Sequence, residues 1–272
     1  MKEAADFEQI SHELMALLHT ERQVVPFARR YRSFDLAEAY KVVARVRDLR
    51  RAQGEKPIGR KIGFTNRMIW SDLGISAPIW NYVFDTTVSD TADGQNGTML
   101  SGMPEPRIEP ELVLHLKSAP ALGMTSADLI DCIDWVAPGF ELVYSVFPNW
   151  EFTAADAAAA FGVHGALVVG ERLDITRART ERAVEISTFA VELENDRGVR
   201  RKGFAQSVLG GPIEALKFLV EEIARYPDCE PLGPGELVTT GTLTEAMAAR
   251  SGETWTARYE GIELTPLQLH FD

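Results

Sequence analysis

Residues 105–116 read EPRIEPELVLHL. The segment ends as a buried β-strand ends, in Leu112, Val113, Leu114 and Leu116, yet it carries Glu109 and Glu111 two residues apart with Pro110 between them. Alternate side chains of a strand share a face, so the two carboxylates point the same way. Like charges side by side repel, and burying them unpaired forces one to keep its proton or costs considerable stability. That face is therefore either wet or matched by a cation.

Outward from this strand the pattern is mixed. Residues 1–55 read as helical: Phe7, Ile10, Leu14 and Leu17 fall at helical spacing, and a second helix opens at SFDLAEAY with Ser33 or Asp35 as cap. Its stripe of Ala37, Tyr40, Val43 and Val46 stops at Gly54. From Ile58 the chain changes to short strands. IGRKIGF is a strand holding Lys61, and residues 74–98 read as a loop. The strand Arg107–Leu116 precedes a helix TSADLIDCIDWV with a Thr125/Asp128 capping box. Next come a strand GFELVYSVF, a helix capped by Thr153, and a buried strand HGALVVG. VEISTFAVELEND reads as a strand that turns at Asn195–Gly198 and returns through RKGFAQSV. Pro212 opens a helix, and GELVTTG, ETWTARY and IELTPLQLHF are strands. Helices first and a strand-rich body after favour an α+β (mixed α/β) fold over a doubly wound sheet. The division expected is a helical region over 1–55 and a body over 56–272.

The chain has 272 residues and a net charge of −12, with no basic run beyond Arg50-Arg51 and Arg200-Arg201-Lys202, so nucleic acid and anionic membrane are poor partners. An anionic substrate remains compatible if a metal ion or a local cation reverses the sign within the site. Two cysteines without metal spacing, and an N-terminus unlike a signal peptide, point to a cytoplasmic protein. No dinucleotide or Walker-type glycine loop, zincin pattern or nucleophile elbow is present.

The carboxylates carry the chemistry. Glu141 lies in a second apolar strand, and with Glu109 and Glu111 it offers three oxygen ligands to a hard divalent ion such as Mg²⁺. The bland alternative is a solvated acidic edge beside a proline. Lys61 is either a surface lysine or a cation that holds a substrate carboxylate or moves a proton. His164 is either a hydrogen-bonded core histidine or an acid/base group. Asp156 reads as a first-turn charge on its helix. Trp70, Trp80, Tyr82 and Phe84 read as core or interface aromatics, with Trp80 the candidate for a substrate contact.

Several segments in this order, GRKIGFTN, EPRIEPELVLHL, APGFELVYS, AADAAAAFGVHGALVVG, SVLGGPIEAL and GELVTTGTLTEA, resemble the 2-keto-4-pentenoate hydratases and 4-oxalocrotonate decarboxylases of the fumarylacetoacetate hydrolase superfamily. The resemblance covers roughly residues 35–272. It implies a β-roll or barrel body over 56–272 with an N-terminal helical layer, assembled as a homo-oligomer or with a related pathway enzyme. It implies Mg²⁺ or Mn²⁺ held by Glu109, Glu111 and Glu141, with Lys61 as the active-site lysine, Asp85 in proton transfer, and Thr242 and Thr244 at the substrate end. The implied activity is hydration of a small anionic 2-hydroxy-2,4-dienoate, as in aromatic compound catabolism. The alternatives are decarboxylation of a 2-oxo-3-enedioate, C–C hydrolysis of an acylpyruvate, and a non-catalytic partner subunit. The chain departs from the family at Ala160–Val163, Tyr144 and Val146, where apolar or aromatic residues replace polar ones. Those changes imply an altered substrate tail or proton relay, with His164 supplying a lost polar function.

Overall fold

A computed structural model describes residues 3–67, 70, 75–91, 97–98 and 100–272. Two N-terminal helices pack on each other, α1 (Phe7–Met15) and α2 (Leu36–Ala52). Both are capped by aspartate: Asp6 accepts from the Glu8 and Gln9 amides, and Asp35, rather than Ser33, accepts from Glu38. These bonds satisfy donors that the first helical turn leaves open. The buried stripe of α2 runs through Ala39, Tyr40, Val43 and Val46, while Ala37 faces solvent.

The strands that follow are β1 (Pro57–Gly63), β2 (Ile79–Phe84), β3 (Val88–Asp90), β4 (Arg107–Leu116), β5 (Ile133–Val143), β6 (His164–Val169), β7 (Ala190–Asn195), β8 (Arg200–Phe204), β9 (Leu237–Thr239), β10 (Thr254–Glu260) and β11 (Leu267–Phe271). The larger sheet runs β2-β1-β9-β4-β5-β6-β3. Its edge strands β2 and β3 are separated in sequence only by the turn Asp85–Thr87. Strands at opposite edges can be joined so tightly only if the sheet curls toward closure, and the result is a half-barrel. Its interior holds an apolar plug of Val113, Ala137, Leu167, Val169 and Leu237, and its outer side packs against the helices.

A second sheet, antiparallel through β8-β7-β10-β11 and closed by Gly97–Thr98 parallel to β11, lies against the half-barrel. Gly203 of β8 meets the loop after β9 so closely that a Cβ there would stand 2.0 Å from the Leu243 carbonyl oxygen. Among the described residues, no helix is long and apolar enough to cross a membrane.

Three expectations are corrected. The expected loop over 74–98 contains β2 and β3, whose aromatic and β-branched residues outweigh the turn formers nearby. The helix capped by Thr125 ends at Asp131, and Ile133–Val136 begin β5. Residues 184–188 belong to a helix, Arg179–Thr188, and only Ala190–Asn195 pair as a strand. Val184 and Ile186 alternate, but Ile186 alone of that helix is buried, which one helical face accommodates.

Candidate metal centre

The hairpin β4–β5 brings the carboxylates together by register. Glu109 pairs directly with Glu141, and Glu111 pairs with Gly139, where a Cβ would fall 2.6 Å from Val113 Cγ2. Pro110 costs this ladder nothing. Its carbonyl accepts from the Leu243 amide at 2.9 Å, on the side away from β5, and a strand residue's N–H points to the same side as its C=O. The loop after β9 takes up the backbone there: Thr240 bonds the Leu112 carbonyl through both its amide and its hydroxyl. Gly241 donates its amide to Glu111 Oε2 at 2.8 Å. It does so at φ +96°, where a Cβ would fall 2.2 Å from Thr65 Oγ1, so glycine alone fits.

One carboxylate oxygen from each of Glu109, Glu111 and Glu141 lies within 4.8 Å of the others. Glu111 and Glu141 are fully buried and Glu109 keeps some solvent contact. Lys61 reaches in from β1, with Nζ 3.3 Å from Glu141 Oε2 and donating to the Gly162 carbonyl at 3.0 Å. His164 approaches from β6, where a register shift opposite Leu142/Val143 turns its ring to the Glu141 side. Its Nδ1 is 2.7 Å from Glu141 Oε1, and its Nε2 is 2.9 Å from Thr87 Oγ1. Glu111 Oε1 is buried with no hydrogen-bond partner.

The electrostatics follow from that geometry. Burial, reinforced by the Glu141 charge, pushes Glu109 up to about 7 despite Lys61 nearby. Burial together with the charges of Glu141 and Glu109 drives Glu111 well above the usual carboxylate range. Burial alone would raise Glu141 too, but Lys61 and the hydrogen bond from His164 hold it at about 2. Burial alone would lower Lys61, but the three carboxylates outweigh it and raise its pKa. Three oxygen ligands with one cationic neighbour and an unpartnered oxygen make a donor set suited to a hard divalent ion.

The structure thus gathers Glu109, Glu111, Glu141, Lys61 and His164, and it leaves two candidates elsewhere. Asp85 is exposed, and its carboxylate accepts from the Lys56 amide. Because Lys61 pairs with Asn81 and Pro57 with Phe84, Asp85 sits at the far end of the strand pair, four residues beyond Asn81 and so roughly 13 Å along the strand from Lys61 at ~3.3 Å per residue. Trp80 neighbours Asn81 and so projects from the opposite face, where it stacks on Tyr40 at 4.9 Å. Thr242 and Thr244 lie in the loop beside Glu111, their hydroxyls donating to the Thr244 and Glu245 carbonyls.

The sequence did not point to Gly162 or Asn81. Residues 161–163 all have positive φ, and a Cβ on Gly162 would lie 2.9 Å from Asn81 Cβ and 3.0 Å from Lys61 Cδ. Asn81 donates to the Ala158 carbonyl at 2.8 Å and so pins the helix Ala154–Ala159 to β2. Asp156 does more than favour its helix: fully buried, it also accepts from the Ala28 amide at 3.0 Å.

No family model matches the chain. It is 25% identical over 274 residues to a 2-hydroxyhexa-2,4-dienoate hydratase of Comamonas testosteroni, covering 98% of this chain and 99% of that one. It is 29% identical to 2-keto-4-pentenoate hydratase 2 of Dechloromonas aromatica, over 89% and 88% of the two chains. In structure it resembles 4-oxalocrotonate decarboxylase from Pseudomonas putida G7, complexed with magnesium and adipate, at a TM-score of 0.87 and 23% identity over the whole of both chains. Proteins described as belonging to the fumarylacetoacetate hydrolase family share the fold at TM-scores of 0.56 and 0.55.

Proposed function

We propose that this chain, a relative of the 2-keto-4-pentenoate hydratases along nearly its whole length, is a divalent-cation-dependent hydro-lyase. Its substrate is a small 2-hydroxy-2,4-dienoate, and its product a 4-hydroxy-2-oxo acid, as in the cleavage pathways of aromatic compounds. The observation that carries this reading is the buried Glu109–Glu111–Glu141 cluster with an unpartnered oxygen on Glu111. These three residues would hold Mg²⁺ or Mn²⁺, which when bound supplies a Lewis acid for the carboxylate and 2-oxygen of the substrate.

The chain's own groups do the rest. Lys61 stays protonated beside Glu141 and holds the substrate carboxylate against a protein of net negative charge. His164 is fixed on both ring nitrogens, by Glu141 and Thr87, and so links the carboxylate cluster to a small cavity of about 30 Å³ lined by His19, Arg50 and Tyr144. That link is a route for the proton exchanged as the dienol ketonises and water adds to the conjugated carbon. Thr242 and Thr244 shape the loop whose Gly241 amide orients Glu111. Two buried free cysteines are consistent with a reducing, cytoplasmic setting, in which the chain acts as a homo-oligomer.

The test is ultraviolet loss of 2-hydroxypenta-2,4-dienoate with Mg²⁺ or Mn²⁺, repeated after EDTA, with the product identified by NMR. Metal-dependent formation of the 4-hydroxy-2-oxo acid supports the reading, and no turnover by metal-loaded protein rejects it. The similarity to a decarboxylase over the full chain makes decarboxylation of a 2-oxo-3-enedioate the second reading, assayed in parallel.

A further inference from the structure

Among the described residues, six buried side-chain polar atoms lack a hydrogen-bond partner; of these Glu111 Oε1, Thr239 Oγ1 and Glu141 Oε2, the last ion-paired with Lys61 at 3.3 Å, belong to the carboxylate wall. Thr239 sits in register between Lys61 of β1 and Val113 of β4. The Tyr259 hydroxyl of β10, on the second sheet, is a fourth such atom. Tyr259 shares a cross-strand row with Val191 and Gly203, and Gly203 is the residue pressed against the Leu243 carbonyl. The same loop donates the Gly241 amide to Glu111, so the Gly203 end of the row borders the carboxylate wall and Tyr259 stands two strands along it on the same face. Burial above all, with the Glu111 carboxyl close by, holds the Tyr259 phenol above its usual pKa.

A buried hydroxyl without a partner is costly, and such a group is explained by a water, an ion or a ligand that satisfies it or by a catalytic role. We propose that Tyr259 Oη is a hydrogen-bond donor to an oxygen of the bound 2-oxo acid, supplied by the second sheet to a site otherwise built on the half-barrel. This rests on the hydro-lyase reading and adds to it a residue on an element outside the metal-binding strands. Tyr259 Oη donates where negative charge gathers on the substrate's oxygens, so the bond strengthens as that charge develops. Thr239 Oγ1 offers a second unpartnered hydroxyl at the same wall.

The test uses Tyr259→Phe, which removes only the oxygen. Oxalate, a planar dicarboxylate mimic of the 2-oxo acid head, is titrated calorimetrically into Mg²⁺-loaded wild type and variant, with Mg²⁺ affinity and thermal midpoint measured beside it. The expected result is oxalate binding weakened about 10- to 100-fold, the worth of a hydrogen bond to a charged acceptor, with Mg²⁺ affinity unchanged and the thermal midpoint equal or higher. A variant that binds oxalate as wild type does, and turns over the dienoate with unchanged kcat/KM, overturns the role of Tyr259 and leaves the hydro-lyase reading standing. Wild type that neither binds oxalate with Mg²⁺ nor turns over the dienoate removes both. A variant with a lowered thermal midpoint and weakened Mg²⁺ binding assigns the hydroxyl to structure and also overturns the proposal.

Discussion

Lys61 Nζ stands 3.3 Å from Glu141 Oε2, and both side chains are almost wholly buried. One ammonium is thus shared by three carboxylates, and it cannot neutralise them all. Glu141 is held ionised, while Glu109 and Glu111 are left to proton or metal.

That imbalance sets a pH dependence for the metal-free protein. Glu109 is pushed up to about 7 in the folded chain from the usual glutamate value of 4.5, so the folded state binds more protons than the unfolded state between those values. Stability without metal therefore falls as pH rises from about 4.5 through 7. Glu141, held near 2, contributes the opposite way: its stabilisation is complete above about 4.5 and is lost as pH falls toward 2. Thermal midpoints in EDTA should peak near pH 5, and Mg²⁺ should raise them more at pH 8 than at pH 5. A flat profile in EDTA from pH 5 to 8 would show that the cluster is not charged as described.

Glu111→Gln should separate metal binding from folding. The amide oxygen can still accept from Gly241, and the amide is as uncharged as the protonated carboxyl it replaces. The EDTA-treated variant is expected to match wild type in stability to within about 1 kcal/mol, since a neutral group replaces a neutral group of the same shape. The Mg²⁺-induced rise in thermal midpoint should vanish, and dienoate turnover with it. Differential scanning fluorimetry with and without Mg²⁺ reads both.

Gly162→Ala should act on Lys61 at a distance from any carboxylate. The new methyl group meets Asn81 Cβ and Lys61 Cδ at φ +61°, so it strains the backbone and displaces the lysine together. The expected cost is about 1–3 kcal/mol in urea unfolding and at least ~10-fold in kcat. Gly123→Ala, at φ +81° with nothing within 4 Å, is the control: it should lose about 1 kcal/mol and no activity.

Asp85→Asn should leave kcat within about twofold of wild type, because its carboxylate accepts from the Lys56 amide across the far end of the strand pair. The loss of stability should stay near 1 kcal/mol, the worth of one exposed hydrogen bond. A hundredfold fall in kcat would restore Asp85 to the chemistry.

What the sequence made legible follows from which signals are local. Glu109, Glu111 and Pro110 pose their question within three residues, and the capping threonines Thr125 and Thr153 sit where their boxes predict. The α+β order and the similarity to the hydratases were also readable from the motifs. Trp80 falls on the face opposite Asn81 because membership of one face of a strand is a parity, and Asp85 falls beyond the end of the same strand; neither placement could be read while the segment holding them read as a loop. Once β2 is a strand, Asn81 and Trp80 must part company. Gly162, Gly241 and Tyr259 carry no local mark of function: each matters through a residue distant in sequence, Lys61, Glu111 or the loop at Leu243.

The register of the half-barrel also orders the assembly of the centre during folding. Glu109 and Glu141 meet across neighbouring strands of one hairpin, a closure of modest chain entropy. On the side facing β4, Lys61's strand is anchored by β9, where Gly59 pairs with Leu237 near the end of the chain. On a growing polypeptide the three acids are therefore synthesised, and able to pair, well before the strand that aligns their counter-cation exists, and nascent chains must carry them protonated, hydrated or metal-bound until the last strands dock.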